Sequence, residues 1–144
     1  MQITLLAVGK LKNPHWKSLA SDYTARINRQ DRIDTIEIKD TTPAKEGERF
    51  QESLAKTNKA KVFVLSEEGK TLSSRKLAER FDQNLGAPLC FIIGGPYGLS
   101  PEIKSAGELI SLSPMTFTHE MARVILLEQI YRALSINSGS GYHH

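Results

Sequence analysis

The sequence predicts an α/β fold, a mostly parallel sheet with helices on both faces, from three observations. Strand-like and helix-like stretches alternate along the chain in the order βαβαβαβαβα, which calls for parallel strands joined by helical crossovers. Leu89 to Ile93 is apolar at every position, as suits a strand covered on both faces. The last helical stretch, about Glu120 to Asn137, is apolar around much of its circumference and is therefore expected to be buried on more than one side. In a chain of 144 residues the second side is expected to be another subunit, with Ile130 at the contact.

The elements follow in order. Gln2 to Val8 reads as a buried strand ending at Gly9, and Asn13-Pro14 as a cap followed by a first-turn proline. Trp16, Leu19, Ala20, Tyr23 and Ile27 then recur at helical spacing and give one apolar stripe for core packing. Ile33, Ile36 and Ile38 mark a second strand, with Thr35 and Glu37 at its wetter positions. A loop containing Pro43 leads to a mostly exposed helix over about Lys45 to Asn58, anchored by Phe50 and Leu54. Lys61 to Leu65 is a third strand, followed by the polar turn Ser66 to Lys70 at its carboxyl end. Ser73 or Ser74 caps a helix carrying Leu77, Phe81 and Leu85. Ser100-Pro101 starts a short helix to about Ala106, and Leu109 to Leu112 is the fifth strand. Ser138 to Gly141 reads as a flexible tail.

Composition bounds the class. Hydrophobic residues make up 40% and charged residues 24%, and no stretch approaches the ~20 apolar residues of a membrane span. The amino terminus lacks a basic segment ahead of its apolar run, so it reads as a strand and not as a signal peptide. A single cysteine, Cys90, fits a reducing cytoplasm; it is either a small core residue or a reactive thiol. The net charge of +3 is unevenly spread. Lys10, Lys12, Lys17, Arg26, Arg29 and Arg32 stand against Asp22 and Asp31, six against two, which fits either a solvated face or a polyanion partner. The histidines lack the spacing of a metal site.

The turn Gly94-Gly95-Pro96-Tyr97-Gly98 joins the apolar strand to a capped helix, and its glycines permit positive φ and close approach of a ligand. It is either a tight strand-to-helix connection or a ligand loop. Its spacing is neither a dinucleotide fingerprint nor a P-loop. Two further loops lie at strand ends, Ser66 to Lys70 and Ser113 to His119, and in an open α/β sheet ligands gather there.

Leu5-Leu6-Ala7-Val8-Gly9-Lys10, Ile92-Ile93-Gly94-Gly95-Pro96-Tyr97-Gly98-Leu99-Ser100, the stretch from Ser111 through His119 to Arg123-Val124, and Glu128-Gln129-Ile130-Tyr131-Arg132-Ala133 together resemble one family. It is the RlmH family of SPOUT-class methyltransferases, which act on N3 of a pseudouridine in large-subunit ribosomal RNA; the closing Tyr142-His143 is similar to its signature. The resemblance covers Gln2 to His143. It implies one domain over residues 1–144, with a C-terminal trefoil knot over about 89–144, and a cytoplasmic homodimer that binds S-adenosylmethionine without a metal. Carried onto this sequence, it implies cofactor contacts at Leu65, Gly95, Ser113, Pro114, Met115, Thr116, Phe117 and Thr118. It also implies a substrate in helix 69 of 23S ribosomal RNA within the 70S ribosome.

For removal of the N3 proton and steadying of the resulting charge, the candidates are His119, Arg132, Tyr142 and His143. Each has a plainer role: His119 as a helix cap, Arg132 in an ion pair or on RNA phosphate, Tyr142 as a tail anchor. The Ser-Gly-Ser-Gly before Tyr142 departs from the family pattern. Two other functions stay open, a SPOUT enzyme acting on transfer RNA and a ribosome-binding protein without catalysis.

Overall fold

The computed structural model describes residues 1–57 and 59–144. Ten elements follow one another: β1 Gln2–Val8, α1 Pro14–Ile27, β2 Arg32–Ile38, α2 Pro43–Ala55, β3 Lys61–Thr71, α3 Ser74–Gln83, β4 Leu89–Ile93, α4 Pro101–Lys104, β5 Glu108–Ser111 and α5 His119–Ser138. The strands form one sheet in the order β2-β1-β4-β3-β5, and all four pairings are parallel. The expected α/β architecture is therefore present, with β4 flanked by β1 and β3 and buried along its whole length.

Alternation along the strands divides the core into two layers. Ile3, Leu5, Phe63, Leu89 and Phe91 face α1, α3 and α5. Leu6, Val8, Val64, Cys90 and Ile92 face α2 and α4, where Phe50 and Ile103 close the layer. Phe91 anchors the first layer, stacked on Phe63 at 5.2 Å and tilted against Phe81 at 5.9 Å between ring centres.

Caps set the helix starts. Asn13, Ser73, Ser100 and Thr118 each accept a backbone N–H of the first turn, and Pro14 and Pro101 stand where a missing N–H costs nothing. The same logic corrects the start of α2: Thr42 is the cap and Pro43 the first helical residue, so the expected loop is helix. Asn58, the last residue of the expected helix, lies outside the described residues.

Other expectations are corrected by tertiary context. β3 runs to Thr71, not Leu65, because Leu65 and Lys70 both lie opposite Ile110 and the ladder with β5 resumes after Ser66 to Gly69 bulge out. Leu85 lies beyond α3 at φ +51 and is 92% exposed, so it anchors nothing. Leu19 and Ile36 are also exposed, the latter on the edge strand. Ser138 to Gly141 is no loose tail: Gly139 takes the left-handed conformation, its N–H donating to Ile136 and that of Ser140 to Ser135, which stops α5 and reverses the chain. Finally, α5 lies between α1 and α3 above the sheet, so most of its apolar circumference is used within one chain. Ile130 is fully buried there and is a core residue, not a contact for a second subunit.

Burial settles the two readings of Cys90. It lies in the β4 layer with no exposed surface, and loss of hydration pushes its thiol up to about 12. With the folded value above the unfolded one, this group's stabilising contribution is intact below about pH 9 and fades as pH rises toward 12. At pH 8 a disulfide reagent is expected to label Cys90 only on unfolding. Stoichiometric labelling of the native protein within minutes would contradict the burial.

Candidate functional site

The bulged segment of β3 and the carboxyl ends of β4 and β5 come together at one end of the sheet, the kind of place at which open α/β sheets bind ligands. A cleft of about 940 Å³ lies there. Leu65 to Glu68, the turn Gly94 to Leu99, and Leu112 with the loop from Ser113 line it. All three loops picked out by the sequence meet at this cleft.

Of the expected cofactor residues, Leu65, Gly95, Ser113, Met115, Thr116, Phe117 and Thr118 line it; Pro114 belongs to the same loop but does not. His119 lines it too, as the first residue of α5.

The glycine turn works differently from its sequence reading. Gly98 alone of the three takes positive φ, at +80°. A Cβ on Gly94 would stand 2.9 Å from Leu99 Cγ, and one on Gly95 3.0 Å from Val8 Cγ1. Their missing side chains thus let the turn settle onto its own neighbours, closed by the Gly98 N–H donating to the Gly95 carbonyl at 3.1 Å.

The facing loop is held at both ends. Ser111 Oγ donates to the Ser113 carbonyl at 2.9 Å, the Met115 N–H donates to Ser113 Oγ at 2.9 Å, and Thr118 Oγ1 caps α5. Thr116 Oγ1 donates to Glu67 Oε1 at 2.6 Å, and Lys104 Nζ meets Glu68 Oε1 at 2.8 Å, so the bulged segment of β3 is tied to its neighbours on two sides. At the start of α5, Glu120 Oε1 accepts the N–H groups of Lys12 (2.5 Å) and Asn13 (3.1 Å), which hold its carboxyl below the usual carboxylate range. That clasp joins α5 to the entrance of α1, whose Trp16 also lines the cleft. Trp16, Lys104 and Glu120 were missed by sequence reasoning. The signal present for Trp16 was its position in the first turn of α1, the helix that follows β1, but its helical spacing assigned it to the core.

A family model described as "Predicted SPOUT methyltransferase" matches residues 1–143. The chain belongs to the SPOUT methyltransferase family. Ribosomal RNA large subunit methyltransferase H of Desulfovibrio desulfuricans is 42% identical to it over 151 residues, covering 96% of this chain and 95% of the relative. The protein of the same name from Bifidobacterium adolescentis is 41% identical over 161 residues, covering 99% of each. Among solved structures, a probable methylase family protein from Haemophilus influenzae Rd KW20 superposes with a TM-score of 0.56 at 12% identity, over 97% of this chain and 67% of that one. TrmJ from Z. mobilis ZM4 gives 0.52 at 11% identity, over 92% and 70%. At such identities the likeness is one of fold.

In this SPOUT family member the remaining candidates, Arg132, Tyr142 and His143, do not line the cleft of their own chain. They gather around Glu128 on α5. Its Oε1 accepts from Arg132 Nη2 at 2.5 Å, Arg132 Nε at 2.9 Å and the Tyr142 hydroxyl at 3.0 Å. The reversal at Gly139 brings Tyr142 edge-on to Tyr131 at 4.8 Å, and the Arg132 guanidinium stacks 4.7 Å from the Tyr142 ring centre.

Arg132 Nη1 lies 3.1 Å from His143 Nδ1. A guanidinium only donates, so Nδ1 is the unprotonated nitrogen. Loss of hydration, with Arg75 and Arg132 close by, holds the imidazole below its usual range and therefore neutral. Burial, with hydrogen bonds to Tyr23 and Glu128, pushes the Tyr142 phenol up, so it is a proton donor at neutral pH and not a base. The described residues contain no group of three or more His, Cys, Asp or Glu side chains placed to hold a metal, and no helix long and apolar enough to cross a membrane.

Proposed function

We propose that the protein methylates ribosomal RNA of the large subunit, using S-adenosylmethionine held in the 940 Å³ cleft. The observation that carries this reading is the convergence of the β3 bulge and the loops after β4 and β5 on one cleft in a chain about 40% identical, end to end, to proteins named for that reaction. The cleft suits the cofactor's parts. Leu65, Leu112 and Phe117 offer apolar surface for a purine, and the carboxylates of Glu67 and Glu68 and the hydroxyls of Ser113 and Thr116 offer partners for ribose hydroxyls and a cationic amino acid moiety. When bound, the cofactor supplies a methyl group activated on a sulfonium.

The finer reading is transfer to N3 of a pseudouridine in helix 69 of 23S ribosomal RNA, on the assembled 70S ribosome in the cytoplasm. The chain would act as one domain over residues 1–144 in a homodimer, with its C-terminal part, from about residue 89, passed through a trefoil knot. N3 must lose its proton as it takes the methyl group. His119 stands at the cleft for that step, and His143 is neutral and so able to accept a proton. Because the Arg132–Tyr142–His143 cluster does not reach its own cleft, its place in this reading is at the cleft of the partner subunit. There the Arg132 charge would steady the electrons left on the base's oxygens.

The test is transfer of labelled methyl from S-adenosylmethionine to 70S ribosomes lacking the modification, beside free 50S subunits, naked ribosomal RNA and transfer RNA, with the labelled nucleoside identified by mass spectrometry. The expected product is N3-methylpseudouridine, chiefly on 70S. Label on transfer RNA would replace the substrate, and cofactor binding without transfer to any RNA would overturn the proposal.

A further inference from the structure

Trp16 is the only tryptophan in the chain, and it has two environments. Half-buried in the first turn of α1, it packs against the layer formed by α1 and α5, and it also lines the cleft. No residue of the cofactor reading comes from α1. The cleft volume of about 940 Å³ lies at the upper end of the roughly 300–1,000 Å³ of small-molecule sites, leaving room for a second planar group. The clasp of Glu120 on the Lys12 and Asn13 amides fixes the start of α1 to the first turn of α5, which carries His119. A ring resting on Trp16 would therefore lie on the side of the cleft that holds a candidate base.

The charge around Trp16 indicates what that ring is attached to. Lys10, Lys12 and Lys17 are exposed, and none forms an ion pair among the described residues. Lys10 and Lys17 line a neighbouring groove of about 380 Å³. Its two acids are already answered: Glu37 by Arg123 at 2.6 Å, and Asp34 by Arg32 at 3.5 Å and the Gln2 amide at 3.0 Å. An aromatic face beside unanswered ammonium groups suits a nucleobase still joined to its phosphates.

We propose that Trp16 is the wall on which the target nucleobase stacks, and that Lys10, Lys12 and Lys17 hold the phosphates of the nucleotides flanking it. This rests on the reading of the protein as an RNA methyltransferase. It gives Trp16 a role in substrate specificity, apart from cofactor binding and from the chemical step.

The experiment compares wild type with Trp16→Phe and Trp16→Leu. Leucine keeps an apolar side chain against the core but has no stacking face, and phenylalanine keeps an aromatic face as well. With 70S ribosomes as substrate, W16L is expected to raise KM for the ribosome about 10- to 100-fold while the calorimetric Kd for S-adenosylmethionine stays within twofold, and W16F to recover most of the loss. A raised cofactor Kd in W16L would assign Trp16 to the cofactor instead, and an unchanged KM would remove its role; either result overturns the proposal.

A second measurement does not depend on turnover. Excited beyond the absorption of its four tyrosines, the protein emits from Trp16 alone, and a single-stranded oligouridylate is expected to quench that wild-type fluorescence and S-adenosylhomocysteine to leave it nearly unchanged. The variant with Lys10, Lys12 and Lys17 all changed to Ala should lower the slope of log affinity against log salt by about 2, at roughly 0.7 per phosphate contact on a single strand. Absence of quenching by the oligonucleotide refutes the stacking. If wild type transfers methyl to no RNA, the underlying enzyme reading fails separately, and the quenching still decides the stacking.

Discussion

Two inactive variants are expected to restore each other. Arg132→Ala leaves the cleft intact but removes the cation stacked on Tyr142 and bonded to Glu128. Gly95→Ala spares that cluster but puts a Cβ 3.0 Å from Val8 Cγ1 in the cleft lining. Arg132→Ala alone should lose about 100-fold or more in methyl transfer, the usual effect of removing one positioned charge from a reacting site, and Gly95→Ala should lose activity because the turn or Val8 must shift to admit the Cβ. If the cluster of one subunit serves the cleft of the other, a mixed dimer has one cleft in which both parts are wild type. Co-expressed in equal amounts, random pairing makes half the dimers mixed, each with one good site of two, so activity should return to about a quarter of wild type. A mixture no more active than its components, with both variants melting near wild type, would show that the cluster does not act across a dimer. Full activity of Arg132→Ala alone would remove Arg132 from the reaction.

The fold was legible in this sequence where local signals and burial agree. The all-apolar run Leu89–Ile93 did become the central strand, and Asn13-Pro14 and Ser100-Pro101 did become helix starts, because cap chemistry and proline's fixed φ act within a few residues. Misreadings came where a distant partner decides. The extension of β3 depends on β5, forty residues later, resuming its ladder after the bulge, and nothing polar in Ser66 to Gly69 announces that. Ser138 to Gly141 has the composition of a linker, yet a left-handed glycine and a tyrosine with somewhere to pack make it a reversal. The three cleft loops were legible because strand ends in an α/β sheet are few. Trp16 was not, because a helical stripe reports which residues are apolar and not that one of them also borders a cavity. The separation of Arg132, Tyr142 and His143 from their own cleft is a property of three-dimensional placement that no spacing in the chain encodes.

Arg123 was overlooked as a source of stability, and its loss should be the costliest single change outside the apolar core. It lies on α5 and is 3% exposed, yet its guanidinium is almost fully used at the end of β1. Nη1 donates to Glu37 at 2.6 Å, and Nη2 to the carbonyls of Gly9 at 2.8 Å and Val8 at 3.3 Å, while Nε is buried without a partner. It therefore joins β1, β2 and α5 just below the clasp of Glu120 on the Lys12 and Asn13 amides. Removing one partner of a buried ion pair costs about 3–5 kcal/mol, because the groups left behind keep their desolvation and lose their compensation. Glu37 lowers that figure here, since its side chain is 36% exposed and can turn to water, whereas the Val8 carbonyl is buried. Arg123→Leu is accordingly expected to cost about 3 kcal/mol and to lower Tm by roughly 10 °C at this chain length. Glu37→Gln keeps an acceptor facing Nη1 and should cost about 1 kcal/mol. Urea unfolding, with equal slopes for the variants and wild type, makes the comparison. If Arg123→Leu cost less than Glu37→Gln, the carbonyl contacts would carry no stability, and the burial of the arginine would need another explanation.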